Sequence, residues 1–215
     1  MPLTEMLNNV VDKNKDVTRN VAGVELAPGD HVCAFYPTLA DRDDILNLYL
    51  REGLSDGDKC ICVMESDDPA SVLTGLGVDV DLAPFLAKRQ LDVRWAAEAF
   101  PRGGSFSTDV VVEFWDHAIQ EALSDGFSFA RGAGEMTWAL HLLPDIKELA
   151  LFESRFNRFL PRYPQMRLLC MYELARFGGD TLVDVLKVHP KVMLGRMVLH
   201  NPYYIEPDEF LATRQ

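Results

Sequence analysis

An α/β fold with a mostly parallel central sheet and helices on both faces is what this sequence predicts, and three observations carry the prediction. Short, continuously apolar runs recur at 31–36 (HVCAFY), 59–65 (KCICVME) and 166–174 (MRLLCMYEL). That is the pattern of strands buried on both faces. Between such runs lie stretches of helical period. The clearest is 108–124, with Val111, Phe114, Trp115, Ala118 and Ala122 on one face. Turn signals punctuate the alternation, which builds βαβ units rather than hairpins.

Taken in order, residues 1–20 are polar and form an arm or short helix, and 21–215 form a single domain. Ala27-Pro28-Gly29-Asp30 is a turn that feeds the first buried strand. A loop follows at 36–41, then a helix over 44–52 on Ile45, Leu48, Tyr49 and Leu50, ended by Gly53. The strand at 59–65 comes after the turn Ser55-Asp56-Gly57-Asp58. Helical pieces over 67–88 are broken at Gly75 and Gly77. Leu91-Asp92-Val93-Arg94-Trp95 is the next strand, Arg102-Gly103-Gly104 a loop, and 108–124 the long helix. A strand at 127–131 (FSFAR) runs into the glycine-rich Gly132-Ala133-Gly134-Glu135. A helix over 145–160 stands on Leu149, Phe152, Phe156 and Leu160. After the strand at 166–174 come a short helix at 182–188, a last strand over 192–199 and a proline-rich extended tail.

Composition narrows the function classes. Of 215 residues, 48% are hydrophobic and 25% charged, which is globular and not disordered. The formal net charge is −12, from 21 basic and 33 acidic residues. Such a chain repels phosphate backbones and anionic lipid heads, so direct nucleic-acid or membrane binding is not expected. No apolar run approaches the ~18 residues of a membrane span. The N-terminal residues lack the charged and apolar regions of a signal peptide, so a cytoplasmic protein is expected. Four cysteines, Cys33, Cys60, Cys62 and Cys170, fall in strand-like runs and read as reduced and buried. Cys60 and Cys62 form C-x-C, not the redox C-x-x-C.

Within this layout the first hundred residues resemble a RecA/KaiC-type P-loop ATPase: strand, loop, helix with Gly53-Leu54 near its end, turn, then a strand closing on Glu65. The phosphate loop of that class, G-x-x-x-x-G-K-[ST], is replaced by Tyr36-Pro37-Thr38-Leu39-Ala40-Asp41-Arg42-Asp43-Asp44. No glycine, no Lys-[ST] and three aspartates stand where a triphosphate would lie. The expected fold is therefore a RecA-like three-layer sandwich without ATP or Mg²⁺. Across nearly the whole chain, His31-x-Cys33-x-x-Tyr36, Gly134-Glu135-Met136-x-Trp138, Cys170-x-Tyr172, His189-Pro190 and Asn201-Pro202-Tyr203-Tyr204-x-x-Pro207 resemble the MEDS sensory-domain family. That resemblance implies a sensor of small molecules, among them hydrocarbon derivatives, with its output carried by a regulatory protein partner.

The candidate site follows from these residues. Tyr36, Met136, Trp138 and Tyr172 would give an apolar pocket with polar handles, or ordinary core. Glu135 would recognise a polar group of the ligand, or pair with Arg131 to anchor the turn. His31 and Cys33 share a strand face and either line a pocket or serve as strand end and core. His31, Cys33, Cys170 and His189 have the chemistry of a zinc-type site, but only one close pair in sequence, so no metal is favoured. His189-Pro190 and Asn201-Pro202-Tyr203-Tyr204 fix the C-terminal segment or present a partner-binding edge. No G-x-S-x-G, H-E-x-x-H or G-x-G-x-x-G motif occurs, and adjacent positions on one strand suit proton transfer poorly. A non-catalytic sensor is thus the leading expectation. A ligand-free scaffold derived from an ATPase and a metal or redox sensor are the alternatives. Homo-oligomers are common in this fold class, and assembly stays open.

Overall fold

The structure is a computed structural model describing residues 19–21, 24–27, 29–65, 69–100 and 108–213. The arm at 1–20, except Arg19 and Asn20, and the loop at 102–104 lie outside the described residues. In chain order the strands and helices are β1 (Arg19–Val21), β2 (Val24–Leu26), β3 (His31–Tyr36), α1 (Leu39–Asp56), β4 (Lys59–Met64), α2 (Pro69–Leu76), α3 (Ala83–Ala87), β5 (Leu91–Trp95), α4 (Ala96–Ala99), α5 (Thr108–Ser124), β6 (Ala130–Glu135), α6 (Ala139–Leu142), α7 (Glu148–Phe159), β7 (Met166–Glu173), α8 (Gly179–Lys187), β8 (Lys191–Leu194), β9 (Met197–His200) and α9 (Pro207–Ala212). Among the described residues, seven strands make one sheet in the order β5-β4-β6-β7-β3-β8-β9, parallel except for β9, while β1 and β2 pair separately. The α/β expectation holds.

Side-chain alternation splits the interior into two cores. Val32, Ala34, Tyr36, Cys60, Cys62, Met64, Ala133, Leu169 and Met171 face α1 and α2. Cys33, Ile61, Val63, Leu168, Cys170 and Tyr172 face α5 and α7. This is the period-two rule acting on strands buried on both sides.

Several boundaries differ from expectation, each for a local reason. The loop after β3 is only Pro37-Thr38, because the Thr38 hydroxyl caps α1 by accepting from Asp41 N (3.2 Å), so the helix starts five residues early. Gly57 in the left-handed region closes it. β6 is 130–135 rather than 127–131: the glycines lie inside a strand instead of a turn. A Cβ at Gly132 would sit 2.7 Å from side-chain atoms of Trp115, Met166 and Leu168, so only glycine lets those groups close over the strand. The stretch at 192–199 is a hairpin of β8 and β9, turned at Gly195 (φ +57°). The tail is not wholly extended, because Pro207 occupies the first turn of α9, where its missing N–H costs nothing. Phe210 of α9 packs against Ala150 and Val188.

Candidate functional site

Two constellations of buried polar groups stand on opposite faces of the sheet. On the α1 face, at the C-terminal ends of the central strands, Glu135 accepts from the Tyr36 hydroxyl (2.9 Å) and the Glu65 backbone N–H (3.0 Å), with Arg42 Nη1 at 3.6 Å. Tyr36 and Glu135 are fully buried. Burial, then the Glu135 charge, drives the Tyr36 phenol upward. Arg42, buried, comes from the first turn of α1 and also pairs with Asp43 (2.6 Å).

Arg131 shares this face but not this end. Its guanidinium pairs with Asp58 (2.8 Å) and Asp56 (2.8 Å) and stacks on Tyr49 (5.5 Å), at the start of β6. An Arg131–Glu135 turn anchor therefore does not form, because four residues of extended strand separate them by about 13 Å.

On the α5–α7 face, a cavity of about 20 Å³ is lined by residues including Val63, Val111, Met136, Trp138, Glu153 and Cys170. Its walls are largely aromatic. Trp138 meets Phe100 (5.2 Å) and Phe152 (5.8 Å), and Phe152 meets Phe156 (5.8 Å). One wall is polar. Glu153, fully buried on α7, accepts from the Tyr172 hydroxyl (2.7 Å). Burial raises its carboxyl to about 8, against the lowering pull of hydrogen bonds from Tyr172 and Cys170.

Beyond Glu153 the polar wall continues. His31 Nε2 lies 3.1 Å from Cys170 Sγ and 3.4 Å from Glu153 Oε2, and His189 Nε2 lies 3.9 Å from the same carboxylate oxygen. The two imidazole rings are 4.1 Å apart. Burial lowers His31 to about 4 and pushes His189 well below its usual range. Burial, then the Glu153 charge, carries the Cys170 thiol well up.

The expected pocket residues are thus divided. Tyr36 and Glu135 meet on one face with Arg131 at its far end, while Met136, Trp138 and Tyr172 belong to the other. The six do not line one pocket, because residues 133 and 135 point opposite to 132 and 134. Of the four candidate metal residues, for which the sequence favoured no metal, His31, Cys170 and His189 converge. Cys33 does not join them, since its thiol turns to the Lys191 carbonyl (3.7 Å). Glu153 takes its place. The available signal was a carboxylate inside the apolar stripe Leu149, Phe152, Phe156 of α7. Cys60 and Cys62 lie on the α1 face, away from this group. Asn201 donates to the Leu186 and His189 carbonyls, and so ties the C-terminal segment to the loop that carries His189.

A family profile described as "MEDS: MEthanogen/methylotroph, DcmR Sensory domain" matches residues 30–190, well over half the chain. The chain belongs to the MEDS family. This MEDS chain has a sensory or regulatory role. It is 29% identical over 169 residues to the protein named "Transcriptional repressor DcmR" of Methylorubrum extorquens (strain DSM 6343 / CIP 106787 / DM4). That match covers 79% of this chain and 61% of the relative, so the chain spans about three fifths of that protein's length. Among solved structures, the KaiC-like protein PH0186 of the archaeon Pyrococcus horikoshii OT3 superposes with a TM-score of 0.57 at 9% identity, over 78% of this chain and 71% of that one. At that identity the likeness concerns the fold, which is RecA-like. Among the described residues, no helix is long and apolar enough to cross a membrane.

Proposed function

We propose that this MEDS domain is a non-catalytic sensor in transcriptional regulation that takes a very small, largely apolar molecule into the cavity under Trp138 and signals through a regulatory protein partner. The observation that carries the reading is the pairing of aromatic walls with one buried carboxyl group, Glu153, in a single cavity. Small-molecule sites combine an apolar lining with few polar groups in this way. At about 20 Å³ the closed cavity has room for roughly one water, above the ~10–15 Å³ a water needs. A ligand of a few heavy atoms therefore needs the lining to open, with α5 (Val111, Trp115) or α7 (Phe152, Phe156) shifting from the sheet. Such movement is the route from occupancy to surface. It works because the ligand favours the open arrangement over the closed one. Signalling by occupancy rather than turnover accords with the state of the thiols. Burial holds Cys33 and Cys62 upward and Cys60 up to about 12, so these three stay thiols near neutral pH.

The test is titration of the protein with methanol, chloromethane and acetaldehyde, read by tryptophan emission and thermal unfolding. At least one probe is expected to change Trp115 or Trp138 emission saturably and raise the Tm. Val111→Ile, which adds one methylene to the cavity wall, is expected to fold and to abolish the response. A saturable response unchanged in Val111→Ile would place binding elsewhere.

A further inference from the structure

The four side chains at the far end of that cavity wall do not form a complete hydrogen-bonded set. Asn157 Nδ2 donates to the Val188 carbonyl, which turns its Oδ1 toward His31 Nδ1 (2.8 Å). An amide oxygen can only accept, so His31 Nδ1 carries the proton and Nε2 presents a lone pair. His189 Nδ1 lies 2.8 Å from the Val185 carbonyl, which imposes the same tautomer there. Both Nε2 atoms thus aim lone pairs into a space already holding a carboxylate oxygen and a sulfur. Glu153 Oε2 and His189 Nε2 are buried with no hydrogen-bond partner within reach. The Cys170 thiol has one proton to share between the His31 Nε2 lone pair (3.1 Å) and the Glu153 carboxyl, and none reaches His189 Nε2, so a buried lone pair stays unanswered, which is costly unless a cation sits among the four.

We propose that His31 Nε2, His189 Nε2, Cys170 Sγ and Glu153 Oε2 bind one zinc-class divalent transition metal in a closed, four-ligand site. All four ligand atoms lie within 4.8 Å of one another. A tetrahedral ion with bonds of about 2.0–2.3 Å holds its ligand atoms roughly 3.3–3.7 Å apart, close to the separations of 3.1, 3.4 and 3.9 Å. Two imidazoles, one thiolate and one carboxylate suit zinc and exclude the hard cations that prefer oxygen alone. The second shell is also in place. Each imidazole donates its other N–H to an oxygen, and Tyr172 donates to the second oxygen of Glu153. Binding displaces the thiol proton, and any carboxyl proton, to solvent. The ion would join β3, β7, α7 and the α8–β8 junction. Because all four residues are buried, loading accompanies folding. Glu153 and Cys170 also line the cavity of the ligand reading, but metal uptake is read without any small molecule, so either reading can fail alone.

The test uses the full chain, denatured with a chelator and refolded without metal, with Zn²⁺ or with Co²⁺. One cobalt per chain is expected, with visible ligand-field bands and a near-ultraviolet thiolate-to-cobalt charge-transfer band. Cys170→Ala should lose the charge-transfer band, and His189→Ala should weaken binding at least tenfold, while Cys62→Ala should leave both intact. Zinc should raise the Tm of the refolded wild type. Cobalt uptake with the same spectrum in Cys170→Ala and His189→Ala would put the ion elsewhere and overturn the site. Should those variants fail to fold, the wild type decides alone: no stoichiometric cobalt with a thiolate band overturns the proposal.

Discussion

Arg131 and Glu135 show how a single residue's partner depends on which end of a strand it occupies. Both face α1, and both are fully buried. Glu135 ends β6 among Tyr36, Glu65 and Arg42, whereas Arg131 begins it among Asp56, Asp58 and the Tyr49 carbonyl (3.4 Å). Asp58 is itself fully buried, so its carboxylate depends on the guanidinium for compensation. Arg131→Met keeps much of the side-chain volume and removes the charge. It should cost about 3–5 kcal/mol, the usual penalty for leaving one partner of a buried pair behind. Urea unfolding measures this directly, and a loss below ~1 kcal/mol would mean that solvent reaches Asp58. The sequence places these two charges within five residues of each other, and that proximity suggests a pair. The suggestion fails because Gly132 and Gly134, read as turn residues, are instead strand residues under large neighbours. The convergence of His31, Cys170 and His189 was partly legible, since all three types are metal ligands. Glu153 was not picked out, because one carboxylate in a helix is ordinary until the helix is known to bury it.

At the scale of the element, the start of α1 sets this chain apart from a nucleotide-binding unit. Strand β3, helix α1 and strand β4 follow the order of such a unit, and the fold as a whole is like that of PH0186. What differs is the joint. A phosphate loop needs several glycine-rich residues to aim backbone N–H groups at an anion. Here two residues separate β3 from α1, and the Thr38 side chain occupies one of the free N–H groups in the first turn of the helix, that of Asp41. Asp41, Asp43 and Asp44 place negative charge at the helix N-terminus, where it stabilises the helix and repels a triphosphate. Mg²⁺ and ATP together should therefore leave the thermal midpoint of the protein unchanged. A saturable rise on titration would show that another part of the surface cradles the nucleotide. The loss of the phosphate loop was fully legible, because it depends on which residues are present. The early start of α1 was less so, since a threonine cap is indistinguishable from a loop threonine until the helix is seen.

For the molecule as a whole, order within the sheet, not strand propensity, should set the hierarchy of stability. β6 reads Ala-Arg-Gly-Ala-Gly-Glu, a poor strand by composition, with two glycines and two charges. Yet it lies between β4 and β7 with every residue buried, as does β4. β9 is the opposite case. Met-Val-Leu-His suits a strand well, but it forms an edge, and Met197 and Leu199 are exposed at 60% and 44%. β5 closes the other edge with one of its five residues buried. An amide escapes protection when its hydrogen bond opens without global unfolding, and such openings concentrate where few buried contacts resist them. Native-state hydrogen exchange should thus find the β4, β6 and β7 amides opening only with the whole molecule. Those of β9 should exchange through local opening that denaturant barely accelerates. The glycines of β6 make it the decisive strand. If local propensity ruled, Gly132 and Gly134 would exchange as fast as β9, and the packing of Trp115, Met166 and Leu168 over Gly132 would not be what holds the centre of the sheet.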